Sequence, residues 1–100
     1  MVTKKAPSDC ASMPELRDEI DRIDAALVDL LVTRSGYIDR AIDIKQAENL
    51  PARITDRVEE VVRNVRRKAE AGGLDPDLAE TLWRNLIEWS IAREEKVLDH

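Results

Sequence analysis

Two cations stand in the line of an apolar seam. From Leu16 the apolar positions run Leu16, Ile20, Ile23, Leu27 and Leu30, and the same helical spacing continues through Arg34, Ile38, Ala41 and Lys45. A guanidinium or ammonium buried without a partner costs several kcal/mol even after relaxation, so it persists where a counter-charge or an anionic ligand compensates it. Arg34 and Lys45 are eleven residues apart, which on a helix is three turns and roughly 16 Å along one face, so both can border one cavity. Arg57 flanks the apolar stripe of a later segment and can also point inward. Arg17 stands one residue off the seam, about 25 Å along the axis from Arg34, and can enter such a cavity only from a second, antiparallel copy of the chain. Glu94, on one face of the last helical segment, is the acid available to them. The pattern leaves two readings open for Arg34, Lys45 and Glu94: an internal anion site, or structural pairing across helices. Arg57 and Arg17 each also have a plainer reading as a surface ion pair or a snorkelling stem.

The elements that must position these groups are helices. The chain has 100 residues, is 43% hydrophobic and 37% charged, and contains only three aromatics, which reads as one small all-α domain rather than a sandwich or barrel. Ser12 with Glu15 forms a capping-box pattern and Pro14 fits a first turn, so a long helix is expected from about Met13 to about Ala47, ending before Pro51. A second is expected from about Ala52 to Ala71, with its stripe at Ile54, Val58, Val61, Val65 and Ala69 and its stop at Gly72 and Gly73. Asp75 and Pro76 cap a third, which carries Leu82 or Trp83, Leu86 or Ile87, Ser90 or Ile91, Glu94, and Val97 or Leu98 on one face. Residues 1–11 read as a mobile arm and residues 12–100 as a single domain. Trp83, Trp89 and Tyr37 read as core or interface packing, the run Arg63, Arg66, Arg67, Lys68 as solvated, and His100 as a disordered end.

A helix of about 35 residues extends roughly 50 Å, further than a small domain is wide. Two shorter helices cannot cover its apolar stripe, and large exposed apolar patches are uncommon on soluble monomers. An interlocked homodimer is therefore expected. The net charge of −5 disfavours a nucleic-acid partner, and the chain has neither an apolar leader nor a membrane-length apolar run. With Cys10 as its one cysteine it reads as a soluble protein of the reducing cytoplasm. No internal histidine, thiolate cluster or glycine-rich loop offers a metal site, a catalytic triad or a phosphate cradle, so chemistry here would rest on binding, orientation and charge stabilisation.

The segment "LRDEIDRIDAALVDLLVTR", Lys45 eleven residues later, then "DRVEEVV" and "LIEWSIAREE", together resemble the all-helical (AroQ-class) chorismate mutases. The resemblance covers roughly Leu16 to Leu98. It implies an intertwined dimer of three-helix chains with two identical active sites, converting chorismate to prephenate in aromatic amino acid biosynthesis, with no cofactor and no covalent intermediate. It further implies that Arg34 and Arg57 bind the substrate's carboxylates, with Arg17 supplied by the other subunit. Lys45 would donate to the ether oxygen and hold a carboxylate, Glu94 would face the same ether oxygen, and Ser90, Ile87 and Ile91 would line the pocket.

Two features depart from the family pattern. Some members have glutamine where this chain has Glu94, and a carboxyl group can donate to the ether oxygen only when protonated. Turnover should then weaken as pH rises, and Glu94→Gln should flatten the profile. Well-known members also place acids near the ring hydroxyl, where this chain has Ile54 and Val58. That apolar pair, "DC" in the arm and "EWSIA" in the third helix are similar to a related branch, isochorismate-pyruvate lyase, which breaks the corresponding bond in an isomer to give salicylate and pyruvate. Glu94 favours the mutase. An amino-substituted chorismate is a third substrate, and a non-catalytic dimeric module with polar register-setting residues is the reading from another class.

Overall fold

The computed structural model describes residues 5–98 and contains three helices, α1 (Met13–Glu48), α2 (Thr55–Gly72) and α3 (Pro76–Leu98), after a short 3₁₀ turn at Pro7–Asp9. The expected disorder of His100 falls outside the described residues. No described helix is long and apolar enough to cross a membrane.

Local chemistry sets the helix ends. At the start of α1 the Ser12 hydroxyl accepts from the Glu15 N–H at 3.3 Å. The Glu15 carboxylate reaches back one residue beyond the reciprocal capping position, to the Ala11 N–H at 3.1 Å, and also meets Lys5 at 3.0 Å. At the far end, Asn49 adopts a left-handed φ of 57°, a conformation that asparagine tolerates better than most residues. The chain then closes with the Leu50 N–H on the Lys45 carbonyl at 2.8 Å. Gly73, at φ 81°, ends α2, its N–H reaching back to the last-turn carbonyls of Ala69 and Glu70. The Asp75 carboxylate caps α3 by accepting from the Asp77 N–H at 2.9 Å.

α2 begins three residues later than the sequence suggests. Residues 53 and 54 are not helical, with Ile54 extended at φ −116°, and the first helical bonds run to the Ile54 carbonyl from Arg57 and Val58. The reason lies one residue upstream: the Ala52 carbonyl, which a longer helix would use for its own first turn, instead accepts from the Lys45 ammonium at 2.7 Å.

The chain divides into two units, one up to Tyr37 and one from Ile38 onward, with α1 contributing to both. In the second unit α2 packs against α3 around a core of Ala52, Val62, Ile87 and Ile91, with Val58, Val61, Trp83 and Leu98 packed on it. Of the paired alternatives on α3, Trp83 is half-buried where Leu82 is exposed, Ile87 is more buried than Leu86, Leu98 more than Val97, and Ser90 and Ile91 are both buried. Val62, absent from the expected stripe of α2, lies deeper than Val58, Val61 or Val65. Charge closes the rim of this helix pair. Arg84 of α3 bridges to Glu59 of α2 and to Glu80, while Arg66 of α2 meets Asp77 and Glu80 of α3. Arg66 is thus half-buried and paired, an exception to the expected solvated run.

In the first unit the opposite holds. Ile20, Ile23, Leu27 and Leu30 are all exposed, Leu30 by 65%. Tyr37, the last residue of this unit, and Trp89 of the second are also exposed and stand outside the core formed by the described residues.

Candidate active site

α1 and α3 bring together two of the expected residues. Lys45 Nζ lies 2.6 Å from Glu94 Oε1, with the two side chains only 18% and 5% exposed. Both are on apolar stripes, so each is carried inward by the helical period that buries its neighbours. The same ammonium donates to the Ala52 carbonyl at 2.7 Å. An ammonium has three protons to donate, and among the described residues two have acceptors. In this low-dielectric setting a charge-assisted contact is stronger than at the surface, and either partner alone would be costly to bury.

Ser90 lies one turn before Glu94, buried, with its hydroxyl donating to the Leu86 carbonyl at 2.9 Å. Ile87 and Ile91 flank it on α3 and are core residues packed with Ala52 and Val62. They stand one and two turns before Glu94 on α3. A cavity of about 380 Å³ opens beside Lys45, bounded by the Asn49–Pro51 turn and by Val97 and Leu98 of α3. Gln46 and Asn49 on this wall were not marked by the sequence reading, because the position of a turn relative to a helix distant in sequence leaves no local trace.

Arg57, on the first turn of α2, is largely exposed and donates to Glu60 at 2.7 Å. Ile54 is exposed at the mouth of α2, whereas Val58 is half-buried against the core. The remaining two arginines belong to the first unit, where Arg34 is half-buried and Arg17 exposed. Neither is in an ion pair among the described residues.

The sequence reading missed two groups. One is the Ala52 carbonyl, a backbone acceptor that no side-chain pattern reveals. The other is the bidentate pair between Arg53 and Glu88, with Nη1 to Oε2 at 2.9 Å, which ties the residue after Ala52 to α3. The Arg53 guanidinium holds the Glu88 carboxyl below its usual range, chiefly by hydrogen bonding. Arg93 does the same to Asp39, linking α3 to the last turns of α1, and stacks 5.5 Å over the exposed ring of Trp89.

Among the described residues, a buried ammonium and a buried carboxyl group meet at one point of the second unit, an arrangement that can stabilise charge developing on a bound molecule. The family model for chorismate mutase type II matches residues 16–95, and the chain belongs to that family. It is 37% identical over 93 residues to the isochorismate pyruvate lyase of Pseudomonas aeruginosa, covering 92% of this chain and 90% of that one. It is 34% identical over 88 residues to the bifunctional chorismate mutase/prephenate dehydratase of Aquifex aeolicus, and 34% identical over 84 residues to the T-protein of Enterobacter agglomerans. The chain spans only 24% and 22% of the length of those two proteins.

Proposed function

We propose that the protein is a cofactor-independent chorismate mutase of the cytoplasm, rearranging chorismate to prephenate in aromatic amino acid biosynthesis, and that it works as a homodimer. The reading rests above all on the buried Lys45 ammonium, which keeps a proton to spare after Ala52 and Glu94 have taken two. As the substrate's C–O bond breaks, negative charge grows on the ether oxygen, and a preorganised donor there stabilises the transition state more than the ground state. Arg34 and Arg57 grip the carboxylates, with Arg17 entering from the partner, because guanidinium forks hold carboxylates bidentately. Gripping both carboxylates selects the compact conformer in which the bond-forming carbons approach. Arg57 leaves its surface pair with Glu60 to do so. Glu94 faces the same ether oxygen, and Ser90, Ile87 and Ile91 form the wall behind it.

The exposed apolar row Ile20, Ile23, Leu27, Leu30 supports the dimer, since a soluble chain seldom leaves such a row in water. A folded monomer at micromolar concentration, by light scattering after size exclusion, would refute it.

A second reading, isochorismate-pyruvate lyase, is favoured by the similarity to the Pseudomonas aeruginosa protein over most of both chains and by apolar Ile54 and Val58. Incubating the protein separately with chorismate and with isochorismate decides between them: prephenate in the first tube supports the mutase, salicylate with pyruvate in the second the lyase. The pairing of Lys45 with Glu94 is also what a non-catalytic module would contain. A bicyclic dicarboxylate resembling the transition state should raise the melting temperature, about 2.7 kcal/mol at a hundred times its dissociation constant, and no shift would favour the module.

A further inference from the structure

The Lys45 ammonium is held from two sides, and only one of them is Glu94. The other is the backbone carbonyl of Ala52, in the non-helical connection between α1 and α2. Ala52 itself is 2% exposed, but the residues around it, Pro51, Arg53 and Ile54, are all exposed and have no ladder to hold them. Two contacts tie this connection down: Ala52 packs in the core with Val62, Ile87 and Ile91, and the Arg53 guanidinium, which sets the orientation of the segment, makes the two-pronged contact with Glu88 on α3. Glu88 stands six residues before Glu94, about 9 Å along the same helix. One rigid helix therefore carries both Glu94, which meets the ammonium directly, and Glu88, which fixes the segment presenting the carbonyl.

We infer that Arg53 and Glu88 are positioning residues: their bridge sets the Ala52 carbonyl against the Lys45 ammonium, and thereby aims the remaining N–H. The geometry favours this role over simple stabilisation. Exposed pairs of this kind add little to folding, and α2 and α3 are already joined by Val62, Ile87 and Ile91 and by the bridge from Arg84 to Glu59. A planar fork fixes orientation in a way that a single-point ammonium cannot. Without it, only the packing of Ala52 holds the connection, and the carbonyl is set less firmly against Nζ.

This inference rests on the proposed role of Lys45 for its kinetic consequence but not for its structural one, and the experiment separates the two. The full-length protein, Arg53→Ala, Glu88→Gln, the exchange Arg53→Glu with Glu88→Arg, and the control Glu59→Gln are compared by two measurements. In trace acetylation without substrate, read by mass spectrometry, Lys45 should label about threefold faster in the two single variants. It should label at the parental rate in Glu59→Gln and near it in the exchange. In turnover of chorismate, kcat should fall about fivefold in the single variants with KM changed less than twofold, and recover in the exchange, a magnitude in keeping with loss of one partly exposed charged contact. Unchanged Lys45 labelling in folded Arg53→Ala and Glu88→Gln would overturn the inference, as would labelling that rises equally in Glu59→Gln. A parent that turns over neither chorismate nor isochorismate would sink the catalytic reading, and the labelling would still decide whether the bridge positions Lys45.

Discussion

Two regions of this chain follow the same sequence rule with opposite results. In the unit from Ile38 onward, apolar stripes at helical spacing meet each other, so that Ile91 is only 4% exposed, and the charged side chains at the rim find partners on the neighbouring helix. In the unit up to Tyr37, an equally regular stripe stands in water, and Arg34 and Arg17 have no ion-pair partner among the described residues. The difference teaches that amphipathic spacing specifies a face, and that the face becomes a core only where the chain supplies something to cover it. On our reading a second copy covers the first unit.

The largest expected effect tests the finished half. Lys45→Ala should lower kcat by about 10²–10³-fold, the usual result of removing a donor to developing negative charge, with a much smaller change in KM. A loss confined to KM would show that Lys45 binds substrate without aiding the chemical step.

Next comes the unfinished half. Leu30→Asp should convert the dimer to monomer or unfold it, since a charge in the seam of an interface remains unpaired; sedimentation across a hundredfold range of concentration reads this. A milder pair sharpens the comparison. Ile91→Ala, in the existing core, should cost about 2–4 kcal/mol. Leu30→Ala should approach that cost only if a partner buries Leu30, and its melting temperature should then rise with protein concentration. If Leu30→Ala melts like the parent at every concentration, the first unit is not covered.

Glu94→Gln removes the counter-charge beside Lys45 while leaving an amide oxygen to accept and an N–H to donate. A kcat that holds or rises in folded Glu94→Gln would support a donor role at the ether oxygen, and a large fall would remove Glu94 from that role.

The smallest effect concerns the charged rim. Hydrogen bonds from Arg93, Arg84 and Arg53 hold the carboxyls of Asp39, Glu59, Glu80 and Glu88 below their usual range. A carboxyl depressed in the folded state contributes stability that is present above its unfolded value of about 4 and lost as pH falls through the depressed value. Melting temperature should therefore be level from pH 7 to 5 and decline below about pH 4, with a smaller decline in high salt, which screens these exposed pairs. A decline beginning near neutrality would point to another group.

Much of the fold was legible because helices are local. Ser12 with Glu15, Asp75 with Pro76, and Gly73 each end or begin an element through contacts within a few residues, and those boundaries can be read from spacing. The start of α2 could not be, because it depends on the Ala52 carbonyl having been taken by Lys45, seven residues earlier in the chain but on another element. The burial of Val62 beneath its stripe neighbours, and the exposure of Trp89 under Arg93, likewise depend on how α2 and α3 are rotated against each other.

The candidate site divides the same way. From the sequence alone came the all-helical architecture and the position of Lys45 and Glu94 on inward faces, since a side chain's direction on a helix follows from its residue number. Tertiary structure alone decided that Glu94, 49 residues away, is the acid that meets Lys45 at 2.6 Å. It also decided that Arg57 turns to Glu60 and that Arg53, in the connection that presents the Ala52 carbonyl, pairs with Glu88. Periodicity fixes which way a residue points, but a long-range contact also needs the distance and rotation between helices, and those are set by packing of the whole unit.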